Sequence, residues 1–252
     1  MKIFLPDNIF ARIFSTVITE KDGIKIHFLP SGLLSKKIIE TKNSIGLIPT
    51  LDLLNHKDFF VTKSLGISFD ESLSNSYIYF TPQQKLTNQV VLAGDVSSSE
   101  GILTKILFSE VYGIDVQLSL EKTNDSPSGK NRILVGDRNF IEDKIESGIS
   151  FTEEIIELIS APYVNFVFAS QTEEVLREFH AICHNIISAI NSAKVFEGMG
   201  EKFSPSTKNY LMENLQHLVF DFNEQDLEGI KQLLELPYYH GIIKDMIDVK
   251  FV

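Results

Sequence analysis

A single cysteine, Cys183, in 252 residues leaves no internal disulfide framework. Positive charge is also scarce. Lys and Arg number 23 against 34 Asp and Glu, a net charge of −11. The basic residues are scattered, with Lys36-Lys37 their only doublet. Nucleic-acid binders need a basic face, so no nucleic-acid partner is expected. No apolar stretch approaches the ~20 residues of a membrane span. The opening MKIFLPDNIF reaches Pro6-Asp7 after a short apolar run, too brief for a signal-peptide core. The expectation is a cytoplasmic protein with no membrane partner. Also missing are GxSxG, a Walker motif and a Rossmann glycine fingerprint, which removes the familiar hydrolase and nucleotide-enzyme signatures.

What is present is an ordinary globular composition, 43% hydrophobic and 23% charged. Residues 2–5 (KIFL) read as a strand that ends at Pro6-Asp7-Asn8. Ile9, Ile13 and Val17 then recur at helical spacing, predicting a helix to about residue 19. Residues 23–29 alternate like a strand, Ser31 is placed to cap a helix through residue 40, and 44–48 (SIGLI) form the next strand before Pro49-Thr50. Strand, helix, strand, helix, strand is the pattern of a parallel α/β sheet. Two longer strands, 59–70 and 76–81, lead to a second α/β set at 89–93, 132–137 and 163–169, with polar turns over 121–131. From Gln171 the chain reads as helical: 172–196, a run capped by Ser204 or Ser206, and a run capped by Asn223 that stops before Pro237. The expected architecture is α/β and two-lobed. A first lobe is made of residues 1–80 and 171–252, a second of 81–170, with a cleft between them and the helical tail on the first lobe.

Ligands of open α/β sheets bind beyond the carboxyl ends of the strands. The turns to inspect are therefore 6–8, 49–50, 95–99 and 136–137. Asn8 can cap a helix or hold a ligand hydroxyl or carboxylate. Thr50 follows Pro49, a residue tolerated at a helix start. Ser97, Ser98 and Ser99 offer hydroxyls and N–H groups where a helix begins, a setting that favours anions. Glu100 puts a carboxylate at the same end and competes with a bound anion, so GDVSSSEGILTKIL reads first as a self-capped helix. Asp137 can cap, accept a ligand hydroxyl or act as a base. His180, Cys183 and His184 share a helix face, but no paired Cys or HExxH accompanies them, so neither a metal nor a cofactor is expected.

The order of these segments resembles the futalosine-pathway menaquinone-biosynthesis family, which includes chorismate dehydratase. The resemblance covers roughly residues 1–236. GLIPTLDLLNHKDFFVTKSLGISFDESLSNSYIYFT is similar to that family's strand–IPS–helix segment and following strands, and places Pro49, Thr50 and Ser76. LAGDVSSSEGILTKIL resembles its serine-rich turn and places Asp95 and Ser97. ILVGDRNF resembles its LLIGD strand end and places Asp137. There are departures. LPDNIFA keeps only Asn8 of the expected SYLN-Pro run, Glu100-Gly101 replaces a Thr-Ser pair, and there is no tryptophan.

The resemblance implies a type 2 periplasmic-binding-protein fold used inside the cell. It also implies a carbon–oxygen lyase acting on a small carboxylate in the interlobe cleft. In that reading Asn8 and Asp137 are catalytic, and Thr50, Ser76, Asp95, Ser97 and Ser98 bind substrate. The alternative is a non-catalytic small-molecule-binding protein on the same fold.

Overall fold

A computed structural model describes residues 1–16, 18, 23–81, 87–122, 130–183 and 202–252. The described residues form two sheets. The first runs β11(Leu218–Asp221), β4(Phe60–Phe69), β10(Tyr163–Ser170), β3(Ser44–Pro49), β1(Lys2–Pro6), β2(Lys25–Leu29), with β12(Lys250–Phe251) also on β4. The second runs β7(Gln117–Leu120), β6(Gln89–Gly94), β8(Asn131–Val135), β5(Ser76–Tyr79), β9(Ile149–Ser150). β1 is parallel to β2 and β3, and β6 to β7 and β8. β10 enters the first sheet antiparallel, between β3 and β4.

β3 and β10 are buried at every residue, as strands covered on both faces must be. Their covers include α1(Ile9–Ser15), α2(Leu34–Glu40), α6(Glu173–Cys183) and α8(Glu224–Tyr239). The second lobe carries α3(Ser98–Tyr112), α4(Arg138–Ile141) and α5(Phe151–Ile159). Phenylalanine fills much of the core. Phe14 packs on Phe168 and Phe220, and Phe10 packs edge-on against Phe69 and, across the lobes, Phe140. Each such aromatic pair contributes ~1 kcal/mol beyond its buried area.

The strands draw the lobes differently from the sequence pattern. Ser76–Tyr79 pairs with β8 in the second sheet, and Tyr163–Ser170 pairs with β3 and β4 in the first. The chain therefore crosses between lobes before residue 76 and again before residue 163, instead of at 80–81 and 170–171. Both strands run antiparallel to the lobe they join, and local apolar pattern carries no information on which sheet a strand enters.

The tail differs too. Residues 205–214 form α7(Pro205–Asn214), but 218–220 leave the helical run and extend as β11, where Leu218 and Val219 pair with Phe69 and Ser68. α8 continues through Pro237 to Tyr239. A proline inside a helix breaks one bond and crowds the carbonyl four residues back. Here it is buried in the last turn, and its own carbonyl accepts the N–H groups of Ile242 and Ile243. The tail is also not confined to the first lobe. α8 packs on β10, whereas in α7 Thr207 donates to Asp143 and Tyr210 meets Tyr77, both in the second lobe. Gly229 of α8 lies where a Cβ would come within 2.3 Å of the Pro162 carbonyl at the second crossing, so only glycine lets this helix approach so closely.

The expected helix after Asn8 ends at Ser15. Parts of the expected helices at 9–19 and 172–196 fall outside the described residues, as does His184.

Candidate functional site at the lobe junction

β6 and β8 are neighbouring parallel strands, and both end in Gly-Asp. Gly94 and Gly136 each have φ near +84°, a left-handed turn open to glycine and strained for other residues. A Cβ on Gly94 would also strike the Val135 carbonyl at 2.1 Å. The two turns point Asp95 and Asp137 at the first lobe. Asp95 accepts the Ser31 N–H at 2.8 Å and the Ser31 hydroxyl at 2.6 Å. Asp137 Oδ1 accepts the Ile9 N–H at 2.7 Å. A third carboxylate works in the other direction. Asp52 of the first lobe, in the short 3-10 turn Thr50–Leu54, accepts the hydroxyls of Ser98 in α3 and Ser35 in α2. The lobes are thus joined by carboxylates and neutral donors.

Asn8 caps α1, its Oδ1 accepting the Ala11 N–H at 2.9 Å. The residue is fully buried, and its Nδ2 has no partner. Burying an amide N–H without an acceptor is costly. Asp137, which seals the next N–H of the same turn, is therefore Asn8's neighbour from the opposite lobe. Burial pushes the Asp137 carboxyl up to about 6, against the lowering effect of the Ile9 N–H. Burial likewise raises Asp95, with the Ser31 bonds opposing and Asp7 adding like-charge repulsion.

Ser97 caps α3, and Glu100 closes a capping box: its carboxylate accepts both the Ser97 N–H at 2.8 Å and the Ser97 hydroxyl at 2.6 Å. Glu100 is 1% exposed, and burial raises its carboxyl above the ordinary value. The N-terminal end of α3 is thus occupied by the chain's own carboxylate.

Of the residues singled out from the sequence, Asn8 and Asp137 meet at the start of α1, and Asp95 and Ser98 bridge the lobes. Ser97 is committed to Glu100. Thr50 donates to the Val164 carbonyl of β10. The backbone of Ser76 is tied to the Ser74 hydroxyl, which accepts the Ser76 N–H and donates to its carbonyl. Two expected caps are absent. Asp137 makes no side-chain bond to its own helix, α4, because its carboxylate turns to α1. Ser31 opens a 3-10 turn ahead of α2 and gives its hydroxyl to Asp95 instead of capping. Cys183 is a buried thiol pushed up to about 12 by burial, and no cluster able to hold a metal ion occurs among the described residues. No helix among them is long and apolar enough to cross a membrane.

The sequence pattern passed over a polar line behind the junction. Asn75 gives its carbonyl to the Gly136 N–H and its Nδ2 to Asn165 Oδ1, while Asn165 Nδ2 donates to the Tyr163 hydroxyl at 2.9 Å. Asn75 Oδ1, Ser99 Oγ and Thr152 Oγ1 are buried without partners. Asn165 was visible as an amide inside the apolar run YVNFVFAS, since a buried polar residue is the informative exception in a core. At the outer edge of the junction lies an open groove of about 520 Å³, lined by Pro30, Gly32 and Leu33 from one lobe and Asp95, Val96 and Glu121 from the other.

No family model matches the chain, and no curated protein matches it in sequence. Solved structures do. Protein AF1704 from Archaeoglobus fulgidus aligns at a TM-score of 0.63 and 12% identity, over 96% of this chain and 98% of that one. The Candida albicans CA3427 gene product, described as exhibiting the generic periplasmic binding protein structural fold, aligns at 0.63 and 11%, over 99% and 92%. An ABC transporter protein from Parabacteroides distasonis aligns at 0.64 and 11%, over 100% and 98%. Likeness at such identity is likeness of fold: the chain has a two-lobed periplasmic-binding-protein-like α/β fold with an interlobe cleft and a helical tail.

Proposed function

We propose that this chain is a non-catalytic protein that binds a small molecule between its lobes. One observation carries the reading. Asn8 presents a fully buried, unpartnered Nδ2 at the point where the lobes meet, and a ligand acceptor there would relieve the cost of leaving it bare. The fold supports the reading, because two lobes around a cleft can enclose a ligand. The test is a thermal-shift screen with chorismate, isochorismate, futalosine derivatives, small dicarboxylates and uncharged amides. A ligand at one hundred times its Kd stabilises by about 2.7 kcal/mol. A screen in which no compound shifts the melting temperature at millimolar concentration would sink the proposal.

A second reading is the lyase. Asp137, with a carboxyl near 6 and Asn8 beside it, suits a group that takes up a proton near neutral pH. Together with the resemblance, this supports chorismate dehydration in menaquinone biosynthesis. Asn8 would polarise the substrate while Asp137 handled a proton or a hydroxyl. The Glu100 capping box weighs against it, since a substrate carboxylate would find the end of α3 already taken. Product analysis by mass spectrometry decides the matter. Chorismate left intact after prolonged incubation with the protein removes this reading and leaves the binding proposal standing.

A further inference from the structure

A second cavity, of about 600 Å³, lies in the first lobe between α8 and the segment that follows it. Its size is that of a small-molecule pocket. Leu227, Ile230 and Leu234 recur at helical spacing along α8 and form one apolar wall. Met246, Ile247 and Phe251 form the other. Ile230 and Leu234 are buried, whereas Met246 is 47% exposed, so the apolar surface runs from the core out to solvent. The wall that carries Met246 is tied at its two ends. Ile242 and Ile243 donate to the Pro237 carbonyl, and the two-residue β12 pairs with β4. Residues 244–249 between these ties form no helix or strand. Methionine repacks around irregular shapes more readily than a branched side chain.

The charged residues of the lining are Glu224, Glu228, Glu235, Asp248 and Lys231. Four acids thus stand against one base, and Lys231 Nζ lies 3.8 Å from Glu228 Oε1. Glu224, Glu235 and Asp248 form no ion pair among the described residues. Glu224, Glu228 and Asp248 are exposed and Glu235 is half-buried. An apolar cavity edged by net negative charge is the complement of an apolar molecule with one positive charge. We infer that this cavity binds a hydrophobic amine, an ammonium group on an apolar chain or ring. The apolar body would displace water from Ile230 and Leu234. The ammonium would stay in solvent among the four acids, as a lysine head does when its stem lies on an apolar surface. A fatty acid would suit the same walls, but its carboxylate would meet like charge at the edge. The cavity shares no lining residue with the lobe junction, so the two binding proposals stand or fall separately.

The test uses one apolar body with three head groups: phenylbutylamine, phenylbutanol and phenylbutyrate. Each is titrated at neutral pH into protein with isotope-labelled methionine methyl groups, followed by NMR. The amine should move the Met246 methyl saturably and leave Met212, exposed on α7, in place. It should bind about fivefold tighter than the carboxylate, the ratio one exposed ion pair supplies, with the alcohol between them. High salt should shrink that preference. Glu228→Lys combined with Glu235→Lys should invert the order of amine and carboxylate while the alcohol binds as before, which also shows that the variant is folded. No saturable movement of Met246 at millimolar amine, equal affinity for amine and carboxylate, or an order untouched by the double variant would each overturn the assignment. Tighter binding of the carboxylate would overturn it in favour of a fatty-acid site.

Discussion

Two helices begin at the lobe junction, and their first turns are closed in opposite ways. The backbone at the start of α3 is closed from within its own sequence: Ser97 and Glu100, three residues apart, satisfy each other, while the Ser98 hydroxyl of the same turn reaches across to Asp52. α8, away from the junction, repeats the device with Asn223 and Asp226. α1 is closed from outside. Its Ile9 N–H goes to Asp137, 128 residues away on the other lobe, and its cap Asn8 retains a free Nδ2. The capping-box bonds of α3 do not depend on where the lobes sit. A helix end closed by the opposite lobe loses a bond when the lobes separate, so the start of α1 depends on how the lobes sit.

The largest expected effect breaks the closed side. Glu100→Ala leaves the buried Ser97 N–H without its carboxylate, and urea unfolding should show a loss of about 1–3 kcal/mol. A loss below about 0.5 kcal/mol, the range of a neutral surface change, would show that the box contributes little. Glu100→Thr should lose less. It should also gain binding of succinate, because it removes a like charge and reopens the start of α3 to an anion. Succinate affinity unchanged in that variant would place Glu100 outside any ligand's reach.

The next effect belongs to Asp137 and depends on pH. Its carboxyl lies near 6 in the folded chain against 3.8 ordinarily. A raised carboxyl contributes stability that is complete below about pH 4 and is lost as pH rises through about 6. Asp95 and Glu100 are raised as well and act in the same sense. The native protein should melt higher at pH 5 than at pH 7.5. Asp137→Asn should flatten that slope by on the order of 1–2 kcal/mol. A variant profile parallel to the native one would show that Asp137 titrates normally. Ser31→Ala should cost about 1 kcal/mol, removing one of two bonds to Asp95, and a larger radius of gyration in X-ray scattering would mark partial opening of the lobes. The smallest effect is Asn8→Ser. Serine caps about as well as asparagine, so the free protein should change by under about 0.5 kcal/mol while ligand binding suffers.

Much of the architecture was legible because it is written locally. The apolar runs ending at Pro6, Pro49, Gly94 and Val135 became β1, β3, β6 and β8, and the spacing of Ser97 and Glu100 gave the cap of α3. The junction was not legible, because its contacts join residues far apart in sequence: Ser31 to Asp95, Ile9 to Asp137, Ser98 to Asp52. Short edge strands such as β7 and β11 carry too few residues to display a period, and QLSL is mostly exposed. One signal was available. The repeated strand-Gly-Asp of VVLAGD and RILVGD marks two equivalent turns, which the sequence reading took only singly, as two of the strand ends to inspect. It did not reveal that both carboxylates turn away from their own helices and toward the other lobe.

The pairing of β4 has a consequence for synthesis. Its ten residues, FVTKSLGISF, are bonded to β10, β11 and β12. All three lie later in the chain, the earliest beginning at Tyr163. On a ribosome adding about 5–20 residues per second, β4 waits roughly 5–20 s with both edges unpaired. The whole second lobe is made in that interval, so it can fold before the first lobe is able to close. Ribosome-stalled chains should show this as protease protection of the second lobe appearing before protection of β4. An apolar strand whose only charge is Lys63 is a template for stray pairing during that wait, which makes the nascent chain, more than the finished one, the form in need of a chaperone.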